Sequence, residues 1–235
     1  MNDNESMNFR VHLFTLFFAV HINALLFYLI QSFVKLSKYI MAGIITKSAL
    51  RQQLKQKLAN MSSEDRHRQS SIITKKVLAS SIYQQSQRVC LYLSMDEEVS
   101  THDILLDVFS SGKQCFIPRY TAASMEMLRI KSLEDYDSLP KTKWNIKQPE
   151  TSEGREEALA SGGLDLILVP GLAFTQKGHR LGRGKGYYDT YLEKCKSNKL
   201  QSLVTIGLAF EEQVVDFIPT HEHDVSVDYV FDSHN

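Results

Sequence analysis

The sequence is poor in cysteine and has no excess of charge of either sign. Its three cysteines, Cys90, Cys115 and Cys195, are far apart and odd in number, which argues against a disulfide framework and for a reducing compartment. Each is expected to be a small buried hydrophobe. The 27 basic and 27 acidic residues cancel, so net charge gives no general attraction to nucleic acid or to a membrane. Hydrophobic residues make up 43% of the 235 positions, which is enough for one globular domain, and no repeat or long linker divides the chain.

Charged residues are absent from residues 11–34. A helix of this length would reach about 36 Å, enough to span the roughly 30 Å hydrocarbon core of a bilayer. Asp3 and Glu5 precede the run and Lys35 and Lys38 follow it, so an anchor here would leave the main domain on the cytoplasmic side. A cleaved secretory signal and a mitochondrial transit peptide fit less well, because no small-residue cleavage site follows and arginine is scarce.

Acidic residues are also absent between Asp165 and Asp189. The segment opens with an apolar run, residues 164–169, which ends at a Pro-Gly pair and is typical of a buried strand. A loop follows, and apolar spacing from Tyr187 predicts a helix. Glycines let the loop backbone approach a ligand, and the helix adds its positive N-terminal end, so the loop is predicted to bind phosphate. The glycines and cations of this loop are Lys177, Gly178, His179, Arg180, Gly182, Arg183, Gly184, Lys185 and Gly186.

This loop is neither of the two common phosphate-binding motifs. A Walker A loop requires glycine where His179 stands, and serine or threonine after Lys185, where Gly186 stands. The third glycine of the dinucleotide-binding fingerprint would fall on Tyr187. From the residues alone, the ligand is therefore a phosphorylated molecule, and a nucleotide is the favoured class.

The remaining periodicity predicts an open α/β sheet, because strands alternate with helices. An amphipathic helix is expected from Lys47, with Leu50, Leu54 and Leu58 on its buried face. Further helices are expected after a cap at Ser62 or Ser63, ending near residue 80, and after a cap at Ser100. Residues 138–157 are expected to form a long loop. The predicted strands cover residues 88–95, 114–120, 125–130, 164–169, 202–210 and 225–231.

The stretch PGLAFTQKGHRLGRGKGYYDTYL resembles the signature of the 5-formyltetrahydrofolate cyclo-ligase family. The blocks KSALRQQLKQKL, YLSMDEEVST, FIPRY and HEHDVSVD also resemble that family. The resemblance implies a single-domain, three-layer α/β/α fold with a Rossmann-like sheet of mixed strand direction. It implies an ATP- and Mg²⁺-dependent enzyme that converts 5-formyltetrahydrofolate to 5,10-methenyltetrahydrofolate and releases ADP and phosphate. A cytoplasmic monomer that binds reduced folate and ATP, and no nucleic acid, is expected.

Because the resemblance begins at Met41, residues 41–235 are expected to be the cyclo-ligase domain. Residues 1–40 are then a hydrophobic extension, and an upstream or alternative start is favoured over a membrane anchor. The anchor would give a membrane-tethered enzyme that faces the cytoplasm.

The resemblance also implies roles for particular residues. Arg183 and Lys185 are expected to stabilise the charge that develops during phosphoryl transfer, and Asp189 and Asp224 to hold magnesium. The implied folate contacts are Arg51, Leu93, Glu98, Arg183, Gly184, Lys185, Gly186 and Tyr187. The implied nucleotide contacts are Lys47, Ser48, Ala49, Leu50, Arg51, Arg180, Leu181, Gly182, Arg183, Gly184, Lys185, Gly186, Tyr187 and Tyr188.

Two positions depart from the family pattern and keep an alternative open. Thr175 stands where many relatives have aspartate, and Ser48 where relatives often have a second base. The alternative is a non-catalytic relative that binds folate or nucleotide, with or without a membrane tether. The pair His221 and His223 also invites a zinc interpretation, but zinc needs three or four ligands and no further His/Cys cluster is apparent.

Overall fold

The computed structural model describes residues 27, 30, 46–122, 124–142, 145–197 and 203–234. The chain divides into two compact units, Met1–Thr46 and Lys47–Asn235. The hydrophobic extension expected at residues 1–40 lies outside the described residues, except for Phe27 and Ile30, so the boundary expected at residue 41 stays a prediction. Among the residues that are described, no helix is long and apolar enough to cross a bilayer.

The second unit contains eight strands and six α-helices among its described residues. The helices are α1 (Lys47–Ala59), α2 (Ser63–Ala79), α3 (Ser81–Gln85), α4 (His102–Ser110), α5 (Leu133–Ser138) and α6 (Tyr187–Ser197). The strands are β1 (Arg88–Cys90), β2 (Gln114–Tyr120), β3 (Met125–Ile130), β4 (Leu166–Val169), β5 (Ala173–Phe174), β6 (Arg180–Leu181), β7 (Val204–Leu208) and β8 (Tyr229–Phe231). Short 3₁₀ turns lie at Leu159–Ser161 and Glu211–Gln213.

Six strands form one mixed sheet in the order β3-β2-β1-β4-β7-β8. All neighbouring pairs are parallel except β2 and β3, which form an antiparallel pair at one edge. Strands β5 and β6 form a separate antiparallel hairpin. The structure thus confirms the predicted α/β class with a mixed sheet. The parallel strands β1, β2 and β4 end at the same edge, and that edge is where an open α/β sheet places a ligand.

Both faces of the central strands are covered. Ile167 and Val169 of β4 pack in the same apolar cluster as Tyr191 and Leu192 of α6. Successive side chains of a strand point to opposite faces, yet Leu166 and Leu168 are also fully buried. Strand β4 therefore lies between two apolar layers, which agrees with its unbroken hydrophobic sequence.

The helix predictions near the N-terminus are confirmed. Leu50, Leu54 and Leu58 are the buried residues of α1. Helix α2 begins at Ser63, and the side chain of Ser62 accepts a hydrogen bond from the backbone N–H of Asp65 at 3.0 Å. Helix α5 was not expected, because a six-residue polar helix carries too little apolar periodicity to stand out from a loop.

Several predicted ends of strands and helices are wrong. At several of these positions the backbone N–H and C=O groups form hydrogen bonds within loops and do not continue the regular pairing with a neighbouring strand. Strand β1 ends at Cys90 and not at residue 95; Leu91 makes one further bond to Phe116. Beyond it, the carbonyl of Tyr92 accepts from the Thr101 hydroxyl at 2.5 Å. Helix α4 begins at His102, so the residue before it is Thr101, which makes no side-chain cap, and not the predicted Ser100. Strands β7 and β8 are likewise shorter than predicted.

The three cysteines are free and buried, as the sequence predicts. Burial raises the pKa of the Cys195 thiol to about 11 and that of the Cys115 thiol to about 12. Thiols with such pKa values are poor nucleophiles near neutral pH.

Glu156 provides a pH-dependent part of the stability. Arg129 donates to its carboxylate at 2.6 Å and Arg88 at 2.9 Å. The hydrogen bond from Arg129 is the main cause that lowers the pKa of Glu156 to about 2; Arg88 adds to it, and burial acts in the opposite direction. Because the folded pKa lies below the unfolded value of about 4.3, the carboxylate stabilises the fold above pH 4.3, and this contribution is lost as pH falls toward 2.

We therefore expect Glu156→Gln to lower the free energy of unfolding near pH 7 and to differ little from wild type near pH 2. Urea titrations between these pH values measure the difference. Glu153→Gln is the matched control, because Glu153 is exposed in the same loop. A deficit of Glu156→Gln that stays constant down to pH 2 would contradict this assignment.

Candidate active site

The segment between β4 and α6 begins with the β5–β6 hairpin. Gly178 lies in its turn with φ of +83°, and a Cβ there would overlap the carbonyl oxygen of Val227. The backbone N–H of Val227 donates to the Gly178 carbonyl at 2.9 Å. Gly178 is therefore required for close packing of two backbones, and it fixes the chain after residue 220 against the hairpin.

Thr175 lies in the same hairpin turn and is almost fully buried. Its hydroxyl oxygen accepts from the N–H of His179 at 3.2 Å, and its carbonyl accepts from Gly178 at 2.9 Å. A threonine hydroxyl can thus supply the turn acceptor that an aspartate carboxylate supplies in an Asx turn. The departure at Thr175 concerns the hairpin turn and not an exposed ligand-binding surface.

The glycine-rich loop is defined here as residues 182–186. None of its five backbone N–H groups donates a hydrogen bond to a residue that the structure describes. Gly184 and Gly186 have φ of +104° and +69°, a conformation that L side chains rarely adopt. Helix α6 begins directly after the loop. Unpaired N–H groups beside a helix N-terminus form an anion-binding site, so the loop has the geometry predicted from its sequence.

The two cations of the glycine-rich loop lie at the protein surface, where Arg183 is paired with Glu98. Arg183 and Lys185 are both exposed, and Lys185 has no ion-pair or hydrogen-bond partner among the described residues. Lys185 lines a groove of about 190 Å³ together with Ser124, Tyr187 and Lys194. The loop therefore presents two positive side chains next to its unpaired backbone donors.

Helix α1 contributes two further cations. The Nε of Arg51 donates to the carbonyl of Gly182 at 2.8 Å, and its guanidinium lies beside Gly184. Lys47, the first residue of α1, forms an ion pair with Asp224. The N-terminal block that the resemblance assigned to nucleotide is thus in contact with the glycine-rich loop, although more than a hundred residues separate them.

The predicted contacts in the N-terminal block and the glycine-rich loop differ in how exposed their side chains are. Ser48 and Ala49 are exposed on the first turn of α1. Leu50, Leu181 and Tyr188 are buried, so the side chains of these three residues belong to the core. These three residues could therefore reach a nucleotide only through their backbone atoms.

Arg180 differs from the other predicted cations because its side chain points inward and is only 4% exposed. Its guanidinium pairs with Asp189 at 2.9 Å and reaches the carbonyl of Pro170 at 3.4 Å. The other oxygen of Asp189 accepts from the backbone N–H of Val225 at 3.1 Å. Arg180 therefore positions Asp189, and this geometry gives no support to the predicted direct contact between Arg180 and a nucleotide.

Asp224 lies in a turn next to this pair. One of its carboxylate oxygens pairs with Lys47 and accepts from the N–H of His221 at 2.6 Å. Burial opposes ionisation of Asp224, but these two donors outweigh it and hold its pKa below the usual range. Asp189 and Asp224 are therefore close together, because the residue that follows Asp224, Val225, donates its backbone N–H to Asp189. His221 and His223 are exposed.

The donor set at this place suits magnesium better than zinc. No cluster of three or more His, Cys, Asp or Glu side chains exists in the described part of the chain. The second oxygen of Asp224 accepts no hydrogen bond from the described residues. A carboxylate oxygen with phosphate oxygens and water completes a typical magnesium site.

The acidic loop between β1 and α4, residues 95–98, faces the glycine-rich loop. Glu98 is 10% exposed, and its carboxylate accepts from the N–H of Met95 at 3.1 Å and from Arg183 at 3.4 Å. Burial raises the pKa of Glu98, although Met95 and Arg183 act in the opposite direction. Leu93 lines a groove of about 280 Å³ with Leu105, Ile146 and several polar side chains, among them His102 and Lys141. A buried carboxylate such as that of Glu98 suits a ligand that carries N–H donors.

Tyr187 links the glycine-rich loop to the end of β2. Its hydroxyl donates to the carbonyl of Thr121 at 2.9 Å, and its ring lies 5.3 Å from that of Tyr120. Neither Tyr120 nor Thr121 is among the ligand contacts expected from the sequence. Their position directly at the carboxyl end of a predicted strand was the available signal, because the parallel strands of a sheet end at one edge.

Comparisons with known proteins identify the family to which the chain is similar. The profile of the 5-formyltetrahydrofolate cyclo-ligase family matches residues 44–232. The chain is 51% identical to a 5-formyltetrahydrofolate cyclo-ligase of Mus musculus, over 81% of this chain and 96% of the relative. It is 32% identical to a protein of the same name from Saccharomyces cerevisiae, over 79% of this chain and 94% of the relative.

Solved structures with the same fold are also similar. An NMR structure of the Aquifex aeolicus 5,10-methenyltetrahydrofolate synthetase has a TM-score of 0.65 and 28% identity, covering 81% of this chain and 91% of the other. A Mycoplasma pneumoniae 5,10-methenyltetrahydrofolate synthetase, at 22% identity and a TM-score of 0.63, agrees in fold.

Proposed function

Because the chain belongs to the 5-formyltetrahydrofolate cyclo-ligase family, we propose that it converts 5-formyltetrahydrofolate and ATP to 5,10-methenyltetrahydrofolate, ADP and phosphate. One observation carries the proposal: the five N–H groups of residues 182–186, which have no partner among the described residues, lie beside a loop whose buried carboxylate, Glu98, contacts Arg183. A polyanion site and a site for a flat N–H donor therefore adjoin. The non-catalytic alternative is not favoured, since relatives named as cyclo-ligases match nearly their whole length.

The chemistry explains why these groups are needed. An N-formyl amide is a poor electrophile, so its oxygen must become a good leaving group. The formyl oxygen attacks the γ-phosphorus of ATP, and ADP leaves. N10 of the folate then attacks the activated formyl carbon and loses its proton, and phosphate departs with the original formyl oxygen. Phosphoryl transfer of this kind depends on positioning and charge neutralisation more than on a general acid or base.

The glycine-rich loop supplies both requirements in this proposal. The backbone N–H groups and Lys185 hold the phosphates, and Arg183 stabilises the negative charge that develops on the transferred group. Glu98 accepts from the N–H groups of the pterin and orients the formyl group, and Leu93 packs against the ring. Arg51 holds the loop through the Gly182 carbonyl, and Tyr187 borders the phosphates. Arg180 acts indirectly, by fixing Asp189.

Magnesium, when bound with ATP, would neutralise phosphate charge, and Asp189 and Asp224 are the residues that would hold it. We expect Asp224→Asn to raise the magnesium concentration for half-maximal activity, because it removes the carboxylate whose second oxygen has no partner among the described residues. Asp189→Asn is expected to do the same. The control is a His221→Ala, His223→Ala variant, which should titrate like wild type. Loss of metal dependence in the histidine variant alone would overturn this assignment.

The direct test of the proposed reaction is spectroscopic. The purified protein is mixed with 5-formyltetrahydrofolate and Mg-ATP, and the absorbance of 5,10-methenyltetrahydrofolate is followed. ADP release is measured in parallel and should equal product in a one-to-one ratio. Binding of both ligands without product would favour the non-catalytic alternative.

We further propose a cytoplasmic monomer whose activity lies in the second compact unit. Deletion of residues 1–40 should leave turnover unchanged, because α1 and its buried face begin at Lys47. Membrane fractionation of the full chain tests the extension separately, and gel filtration tests the monomer. Recovery in a carbonate-resistant membrane pellet would support an anchor.

A further inference from the structure

Arg183 and Glu98 are partners of one another in the ligand-free protein. The Arg183 guanidinium lies 3.4 Å from a carboxylate oxygen of Glu98 and 3.7 Å from one of Glu97. The Arg183 side chain is 38% exposed and that of Glu98 is 10% exposed. Each residue belongs to a different ligand under the proposed function, Arg183 to the phosphates and Glu98 to the pterin.

A nucleotide competes with Glu98 for Arg183. Phosphate oxygens bind arginine through strong, charge-assisted hydrogen bonds. If Arg183 turns to them, the Met95 N–H is the one donor that Glu98 keeps among the described residues. A buried carboxylate that loses a partner is destabilised, so a nucleotide that binds alone must overcome the loss of this pair.

The pterin relieves this loss, because its N–H groups replace Arg183 at Glu98. Conversely, folate that binds alone to Glu98 must separate the same pair. The free-energy cost of separating the ion pair is therefore borne by the first ligand to bind, and the second ligand binds without this cost. A contact that both ligands must break produces positive coupling between their binding free energies.

We propose that the Arg183–Glu98 ion pair couples the two substrate sites, so that nucleotide and reduced folate each increase the affinity for the other. This inference rests on the proposed function. Coupling of this kind typically changes affinity by about 5–150-fold. It would favour the complex that holds both substrates, and it would limit attack of water on ATP when folate is absent.

Calorimetric titration with unreactive ligands tests the proposal. The probes are 5-methyltetrahydrofolate, which has no formyl oxygen, and the magnesium complex of the β,γ-imido analogue of ATP. For wild type, we expect the dissociation constant of the folate probe to fall at least about 5-fold when the nucleotide analogue is saturating. The reciprocal titration must give the same factor.

The decisive variant is Glu98→Gln, whose neutral amide removes the nearer and more buried of the two carboxylates beside Arg183. Folate binding should weaken, but the nucleotide analogue alone should bind more tightly than to wild type, and the coupling factor should approach one. A solely structural role for Glu98 would weaken or leave unchanged the binding of both. Thermal unfolding of the variant verifies that it is folded.

Asp96→Asn is the matched control, because Asp96 belongs to the same loop but its side chain makes no ion pair in the described structure. It should keep the wild-type coupling factor and nucleotide affinity. If Asp96→Asn tightened nucleotide binding as much as Glu98→Gln, general charge near the loop would be the cause and the ion pair would not. Independent binding of both probes to wild type would overturn the coupling alone, whereas failure to bind either probe would overturn the proposed function itself.

Discussion

Replacement of Lys185 by alanine is expected to lower kcat/KM for 5,10-methenyltetrahydrofolate formation by about 10²–10³-fold, the usual loss of one charge-stabilising donor. Lys185 is exposed between Gly184 and Gly186 and pairs with no described residue, so its removal breaks no contact that holds the fold. The free energy of unfolding should therefore stay close to that of wild type. Arg183→Ala should give a loss of similar size.

Steady-state kinetics at saturating Mg-ATP and a urea titration measure these two effects. Lys177→Ala provides the control, because Lys177 is an exposed lysine of the β5–β6 turn, at the other end of the hairpin. It should match wild type in both measurements. Unchanged turnover in Lys185→Ala would mean that the glycine-rich loop is a surface feature without a role in phosphoryl transfer.

Replacement of Arg180 by leucine is expected to destabilise the protein by about 3–5 kcal/mol, the usual result of breaking a buried ion pair from one side. The substitution leaves Asp189 without its cation and the Pro170 carbonyl without its donor. Asp189 also bonds to Val225, so the segment that carries Asp224 should loosen as well. Urea unfolding at pH 7 measures the loss.

Two further variants separate this explanation from a general effect of losing an arginine. Arg183→Leu removes an arginine three positions away that is 38% exposed and reaches Glu98 only at 3.4 Å, so it should destabilise the protein clearly less than Arg180→Leu does. The double variant Arg180→Leu, Asp189→Asn removes the uncompensated charge as well and should be more stable than Arg180→Leu alone. Equal destabilisation by the two arginine variants would contradict the division of roles.

The opposite roles of these arginines mark the limit of what the sequence could predict. Arg180 and Arg183 belong to one glycine-rich, basic segment, and the resemblance assigned both to nucleotide. Their side chains differ in direction because Arg180 is paired with Phe174 in the β5–β6 hairpin, whereas Arg183 lies beyond it in the loop. Strand pairing decides direction, and the local pattern of glycines and cations does not encode that pairing.

The sequence by itself determined what depends on neighbours along the chain. The buried strand before the loop, the helix that begins at Tyr187 and the amphipathic helix from Lys47 are all where the spacing of apolar residues predicted them. The glycines at 184 and 186 have the positive φ that favours this residue type. Local periodicity and backbone preference are properties of short segments, so one segment is enough to reveal them.

Only the tertiary structure decided which charged groups meet. Arg183 pairs with Glu98 across 85 positions of sequence, and Lys47 with Asp224 across 177. The sheet order brings the carboxyl ends of β1, β2 and β4 to one edge, and the contact between Gly178 and Val227 brings the last turn to the same place. Such pairs follow from strand order and from backbone packing between distant segments. No spacing along the chain could have revealed that the predicted ligand-binding cations and carboxylates neutralise one another before a ligand arrives.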